Sequence, residues 1–198
     1  TTVTKHNVSQ LPDLVKFFHA KKVSCVLLNP VRLTQKPSLK LKPDEKVFAE
    51  YFITAVEKAI ELSKKSGRQI VIGNFANVIL AIISPTARRM MCDISPCGGG
   101  RTFMTVTANG DMVPCGEFIG LKEFAGGNIF ETSISEAMNS KPFKKIRARI
   151  VEKIDECNVC DFRNICGAPC SAELHARGNM YQKAEFCEFY NLVIEIQD

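Results

Sequence analysis

No stretch of this sequence approaches the roughly 18 consecutive apolar residues of a membrane span, and its first residues lack the basic, apolar and small-residue succession of a secretory signal. Membrane and export classes are set aside, and a cytoplasmic protein is expected. Internal repeats and low-complexity segments are also missing. Excess charge is slight: a formal +5 over 198 residues allows a nucleic-acid or acidic partner without implying one. The glycine run CGGGR at 97–101 has neither the Lys-Ser/Thr ending nor the preceding strand of a phosphate loop, so its expected use is close approach of backbone to another group. With 45% hydrophobic and 24% charged residues the chain can bury an ordinary globular core.

Cysteine is abundant by contrast, with nine in the chain. Length sufficient for a core, no export signal and short spacings argue for metal chelation over disulfides.

The first part of the chain reads as βα units. TTVT is β-branched, and SQLPDLVKFFHA places Leu11, Leu14, Val15 and Phe18 on one helical face. VSCVLLN is an apolar strand in which Cys25 is expected to be a buried, inert thiol. A long helix should start at Lys42 or Pro43, carry Val47, Phe48, Tyr51, Phe52, Ala55, Val56, Ala59 and Ile60 on one side, and stop at Gly67. QIVIGNF reads as a short strand, whereas ANVILAII fits either a strand or a buried helical turn.

Near residues 85–92 the pattern changes to cysteine, glycine and short elements, which divides the chain into 1–88 and 89–198. RTFMTVTANGDMVPCG reads as a β-hairpin, with Asn109-Gly110 expected in a type I′ turn. Ser133 and Glu136 have capping-box spacing. After Ser140 and Pro142, one helix is expected to carry Phe143, Ile146, Ile150 and Ile154 inward. Its basic residues Lys141, Lys144, Lys145, Arg147, Arg149 and Lys153 would form a solvated opposite face. The fold class is α+β.

The cysteine spacings are Cys92-x4-Cys97-x12-Gly110-x4-Cys115 and Cys157-x2-Cys160-x5-Cys166-x3-Cys170-x16-Cys187. Eight thiols make two sets of four, the stoichiometry of structural zinc and of four-iron clusters alike. His6, on an exposed loop, and His19 and His175, on helices, are not required as ligands. A zinc-stabilised peptide- or RNA-binding module without redox activity is the alternative to an iron–sulfur protein.

Cys97, Gly110, Cys115, Cys157, Cys160, Cys166, Cys170 and Cys187 resemble the seven-cysteine signature of the SPASM domain, the C-terminal extension of peptide-modifying radical S-adenosylmethionine (SAM) enzymes. The resemblance implies two auxiliary [4Fe-4S] clusters, the first on Cys92, Cys97, Cys115 and Cys170, the second on Cys157, Cys160, Cys166 and Cys187. Cys92 departs from the pattern of the sulfatase-maturing members, with four residues before Cys97 where they place five. Residues 1–88 resemble the C-terminal portion of the radical SAM partial barrel, its fifth and sixth strands with the intervening helix. No CxxxCxxC occurs, so the SAM-cleaving cluster and the first four barrel strands are expected outside this chain, which alone should be inactive.

In the whole enzyme, the resemblance implies a third [4Fe-4S] cluster, SAM, an external electron donor and a peptide or protein substrate that loses hydrogen to a 5′-deoxyadenosyl radical. The auxiliary clusters would take up the substrate's electron or support its site. Sulfatase maturases carry an Asp after the hairpin cysteine, where this chain has Gly116. Glu117, one position on, should point to the opposite face of a strand. The resemblance therefore favours ribosomal-peptide or thioether-type maturation.

Overall fold

A computed structural model describes residues 1–88, 90–168 and 170–195. Two compact units emerge: Thr1–Arg89 together with Phe186–Asp198, and Met90–Glu185.

In the first unit, β1 (Thr2–Val3) leads to α1 (Leu11–Ala20), which buries Leu11 and Val15 and has Leu14 and Phe18 half-buried beside the core. Strands β2 (Cys25–Val26) and β3 (Asn29–Pro30) follow. The long helix α2 (Glu45–Ser66) starts later than Lys42 or Pro43. Asp44 sets the start, because its carboxylate accepts from the amides of Lys46 and Val47, both at 3.0 Å, satisfying donors that a helix leaves open. Gly67 ends the helix at φ 68°, a left-handed conformation that an L side chain resists. Phe48, Phe52, Ala55, Val56 and Ala59 are buried as the spacing predicts, but Val47 and Ile60 are exposed.

Strand β4 is only Val71–Ile72, and helix α3 (Gly73–Ile83) takes over, resolving ANVILAII as helix. β1 pairs with β3 and β2 with β4, both in parallel, with Thr2 opposite Asn29 and Cys25 opposite Val71. Parallel partners require a crossover connection, which α1 and α2 supply. Among the described residues the strands pair two by two, with no closed barrel. Helix α8 (Cys187–Glu195) completes this unit by stacking Phe189 on Phe48, ring centroids 4.0 Å apart and planes 6° from parallel. These units differ from the division at 88/89 in where the C-terminal helix groups.

The second unit opens with residues 90–104 and the antiparallel hairpin of β5 (Thr105–Val106) and β6 (Met112–Val113). Its turn is not type I′. Gly110 alone has positive φ, the Gly110 amide donates to the Thr107 carbonyl at 2.9 Å, and the Thr107 amide donates to the Asp111 carbonyl at 2.9 Å. This is the three-residue form, a type I turn followed by a left-handed glycine.

Helix α4 (Ile134–Asn139) has the expected capping box of Ser133 and Glu136, and α5 (Lys141–Arg147) carries Phe143 and Ile146 inward. The helix expected through 154 stops at Arg147. Beyond it Ile150 is extended and the Val151 amide donates to Ser95 Oγ at 2.7 Å, so that donor is lost to a helix. Two short helices, α6 (Arg163–Cys166) and α7 (Ser171–Ala176), follow. One core joins Val113, Phe118, Phe124, Ile146, Ala172 and Met180, and a smaller one joins Val151, Ile154 and Ala168. Among the described residues, no helix is long and apolar enough to cross a membrane.

Candidate iron–sulfur site

Three chain segments that carry thiols of the second unit are tied to one another. Residues 92–97 are fixed from one side by the Val151–Ser95 hydrogen bond. From another side Gly167 presses on them: a Cβ there would lie 2.8 Å from the carbonyl carbon of Ile94 and 2.9 Å from its Cα. The hairpin is fixed by Gly100, whose amide donates to the carbonyls of Phe103 and Pro114, each at 2.9 Å. The glycine run thus lets protein segments approach one another closely.

Cys97, Cys115 and Cys170 all pack on the same apolar core, against residues such as Val113, Phe118 and Ala172. Gly99 sits between two of them. A Cβ at that position would lie 3.3 Å from Cys115 Cβ and 3.4 Å from Cys97 Sγ. Its amide donates to Cys97 Sγ at 3.3 Å, the kind of contact that stabilises negative charge on sulfur. Cys170 precedes α7 at φ 55°, ψ 81°, two residues after Ala168 at φ 46°. Two non-glycine residues with positive φ mark a backbone held by its surroundings, as occurs at ligand-holding sites.

Cys157 packs on the smaller core with Ile154 and Ala168. A turn in which the Cys160 amide donates to the Cys157 carbonyl at 3.1 Å keeps that pair together, and Cys166 closes α6. Burial pushes the Cys157 thiol above its ordinary value, the neighbouring Cys160 pushes it further, and Arg149 opposes both. Cys92, like the other seven thiols of the two sets, is half-buried, and none of the nine cysteines forms a disulfide. Cys187 opens α8 in the first unit.

Among the described residues no three His, Cys, Asp or Glu side chains are drawn together tightly enough to coordinate a metal ion. The donor chemistry nevertheless suits a thiolate-bound centre: three thiols on one apolar wall, an amide aimed at sulfur, and a buried cation bonded to Met180 of the same core.

That cation is Arg149, which the sequence pattern assigned to a solvated helix face. With α5 ended at Arg147 the helical spacing no longer applies, and Arg149 is 3% exposed. Its Nε donates to the Met180 carbonyl at 2.6 Å. A dense run of Lys and Arg could not reveal this, because the break depends on Ser95 capturing a distant amide. Arg147, half-buried, donates to the carbonyls of Gly100 and Met138 at 2.8 and 2.7 Å.

The expectations for Cys25 and Glu117 are corrected, whereas His6 lies in a loop and His19 and His175 lie on helices as expected. Cys25 is exposed, because in β2 it is Val26 that turns into the core. Glu117 lies in a 3-10 turn, Gly116–Phe118, so strand alternation does not set its direction. His6 is exposed in a turn. His19 is buried and bonded to Ser66 Oγ at 3.0 Å, and His175 meets Glu123 at 3.3 Å.

Residues 97–161 match the SPASM family, an iron–sulfur cluster-binding domain. An uncharacterized protein of Archaeoglobus fulgidus is 51% identical over 190 residues, which is 96% of this chain and 45% of that protein. Among solved structures, anSMEcpe with bound AdoMet superposes with a TM-score of 0.77 at 16% identity, over 98% of this chain and 50% of that one. A further anSMEcpe structure holds AdoMet and the Kp18Cys peptide, with a TM-score of 0.75 at 17% identity over 98% and 53% of the two chains. SuiB of Streptococcus suis, bound to S-adenosylmethionine, gives 0.62 at 18% identity over 95% and 44%. The chain spans about half the length of these relatives.

Proposed function

From the premise that residues 97–161 are a SPASM iron–sulfur cluster-binding domain in a chain with the fold of the C-terminal part of radical SAM enzymes, we propose that the chain binds two auxiliary [4Fe-4S] clusters of a peptide-modifying oxidoreductase. The observation that carries this reading is the placement of Cys97, Cys115 and Cys170 on one apolar wall, with the Gly99 amide directed at Cys97 Sγ. Cys92 joins them as the fourth ligand of the first cluster. The second set is Cys157, Cys160 and Cys166, to which the sequence pattern adds Cys187. The cluster-binding cysteines all fall within 89–198, with the partial barrel end before them.

When bound, such clusters supply one-electron transfer at a potential set by burial and by hydrogen bonds to sulfur. Within this chain, Val113, Phe118 and Phe124 form the apolar core on which Cys97, Cys115 and Cys170 pack, and the Gly99 amide holds Cys97 Sγ. With Cys92 as fourth ligand, the first cluster would leave no iron open to a substrate sulfur, and it would supply electron transfer or support of the substrate site. SAM, its own cluster, an external electron donor and a peptide substrate belong to a longer protein, and this chain alone does not cleave SAM. The two neighbours' ligands, AdoMet in each and a peptide in one anSMEcpe structure, support that assignment. The absence of Asp after Cys115, where Gly116 stands, favours maturation of a ribosomal peptide or formation of a thioether. A cytoplasmic setting, where thiols stay reduced, suits it.

The test is to reconstitute the chain with iron and sulfide without oxygen. Broad visible absorption that bleaches with dithionite, together with a low-temperature electron paramagnetic resonance signal of the reduced form, is expected. Zinc uptake with no visible chromophore would overturn the reading, since zinc has a filled d shell.

A further inference from the structure

Arginine does not lose its proton in a protein, so a buried guanidinium must be answered by a nearby anion or by a full set of hydrogen bonds. Among the described residues Arg149 has neither. Its side chain is 97% buried, Nε donates to the Met180 carbonyl, and Nη2 is buried without a hydrogen-bond partner among the described residues. No carboxylate pairs with it among those residues. Nε bonds to Met180, which lies in the apolar core on which Cys97 and Cys170 pack, and the groups whose negative charge would favour the guanidinium are Cys97, Cys170, Cys157 and Tyr181. Three of the four are thiols, two from the first proposed set and one from the second. Burial alone pulls the guanidinium below its ordinary value, so the cost of placing it there is real.

We infer that Arg149 is a charge-compensating residue for the thiolate-bound clusters, a fixed cation bonded to the core that carries Cys97 and Cys170, which favours reduction most strongly at the first cluster. This rests on the two-cluster reading. A four-iron cluster on four thiolates carries a net negative charge that grows by one on reduction, and a fixed cation in a poorly polarisable surrounding stabilises the more negative state. The Met180 hydrogen bond aims the guanidinium. Its remaining donor side is left for cluster sulfur or thiolate, which accept hydrogen bonds that tune the potential.

The experiment compares the reconstituted wild-type chain with Arg149→Met and Arg149→Lys, reading iron per chain first and then midpoint potentials by titration under electron paramagnetic resonance. The first cluster's signal is identified as the one that Cys97→Ser removes. Arg149→Met should make that cluster at least about tenfold harder to reduce, about 59 mV for a one-electron couple, while Arg149→Lys restores most of the difference. Loss of iron in the Met variant with retention in the Lys variant also supports the inference, because charge is then what the site requires. Full iron with an unchanged potential in Arg149→Met overturns it. So does equal failure of both variants, which would make Arg149 a structural anchor for Met180, or a Lys variant whose potential falls as far as that of Met. A wild-type chain that takes up no iron instead overturns the cluster reading itself.

Discussion

The Gly99 amide donates to the sulfur of Cys97 across 3.3 Å, and the same glycine passes beside Cys115. A methyl group here would come 3.2 Å from the Pro114 carbonyl oxygen as well as crowding both cysteines. Gly99→Ala is therefore expected to spread the two thiols and cost the first cluster, leaving about half of the wild-type iron. Iron analysis of the reconstituted variant checks this. Wild-type iron would show that the close approach is immaterial to the site.

Cys92 is the ligand whose spacing departs from the family pattern, so it is tested separately. Cys92→Ala should lower iron content or alter the spectrum of one cluster while leaving the other, because a four-iron site needs a fourth ligand. If iron content and spectrum are both unchanged, the first cluster is held by three protein thiols and the assignment of Cys92 fails.

Helix α8, which begins with Cys187, is held at its start by a carboxylate distant in sequence. Glu45 Oε2 accepts from the amides of Glu188 and Phe189 at 2.9 and 3.2 Å, while Glu45 Oε1 pairs with Lys42 at 2.8 Å. Replacing Glu45 by Ala leaves those amides open, a loss of about 1 kcal/mol by analogy with removal of an N-cap. Faster amide exchange in the peptide that contains α8, with little change in α5, is the expected result. Equal protection in both forms would mean that the Phe48–Phe189 stack alone holds the helix.

Several elements are legible in the residues themselves. Leu11, Leu14, Val15 and Phe18 mark α1, Gly67 marks the end of α2, and Ser133 with Glu136 marks α4, because each signal is local and carries its own stereochemistry. The cysteine spacing likewise identifies the resemblance to the SPASM domain before any geometry is known. What the sequence misplaces depends on distant partners. Arg149 looks like the solvated side of a helix until Ser95 takes the Val151 amide and ends the pattern. Cys25 in an apolar run gives no sign of which neighbour turns inward, since short continuous apolar strands lack alternation. The start of α2 was missed for a local reason: Pro43 fits a first helical turn, but Asp44 is the better cap.

The capping box gives a pH dependence with a definite sign. Hydrogen bonds from the Ser133 hydroxyl and amide hold the Glu136 carboxyl below its ordinary value of 4.5. A carboxyl depressed in the folded state contributes stability that is fully present above its unfolded pKa and is lost as pH falls through the folded one. Below about pH 4.5 the wild type should lose this contribution, whereas Glu136→Gln should show a shallower acid dependence of its melting temperature. Parallel curves for the two proteins between pH 6 and 3, limits set by the carboxylate range, would contradict the capping role.

The central claim, two four-iron clusters on eight thiols, is tested most directly by iron, acid-labile sulfide and zinc per chain in protein prepared without oxygen. Two such clusters give about eight irons and eight sulfides, four of each per four-thiolate site. About two zincs and no iron after reconstitution would fit two closed tetrahedral sites and contradict it.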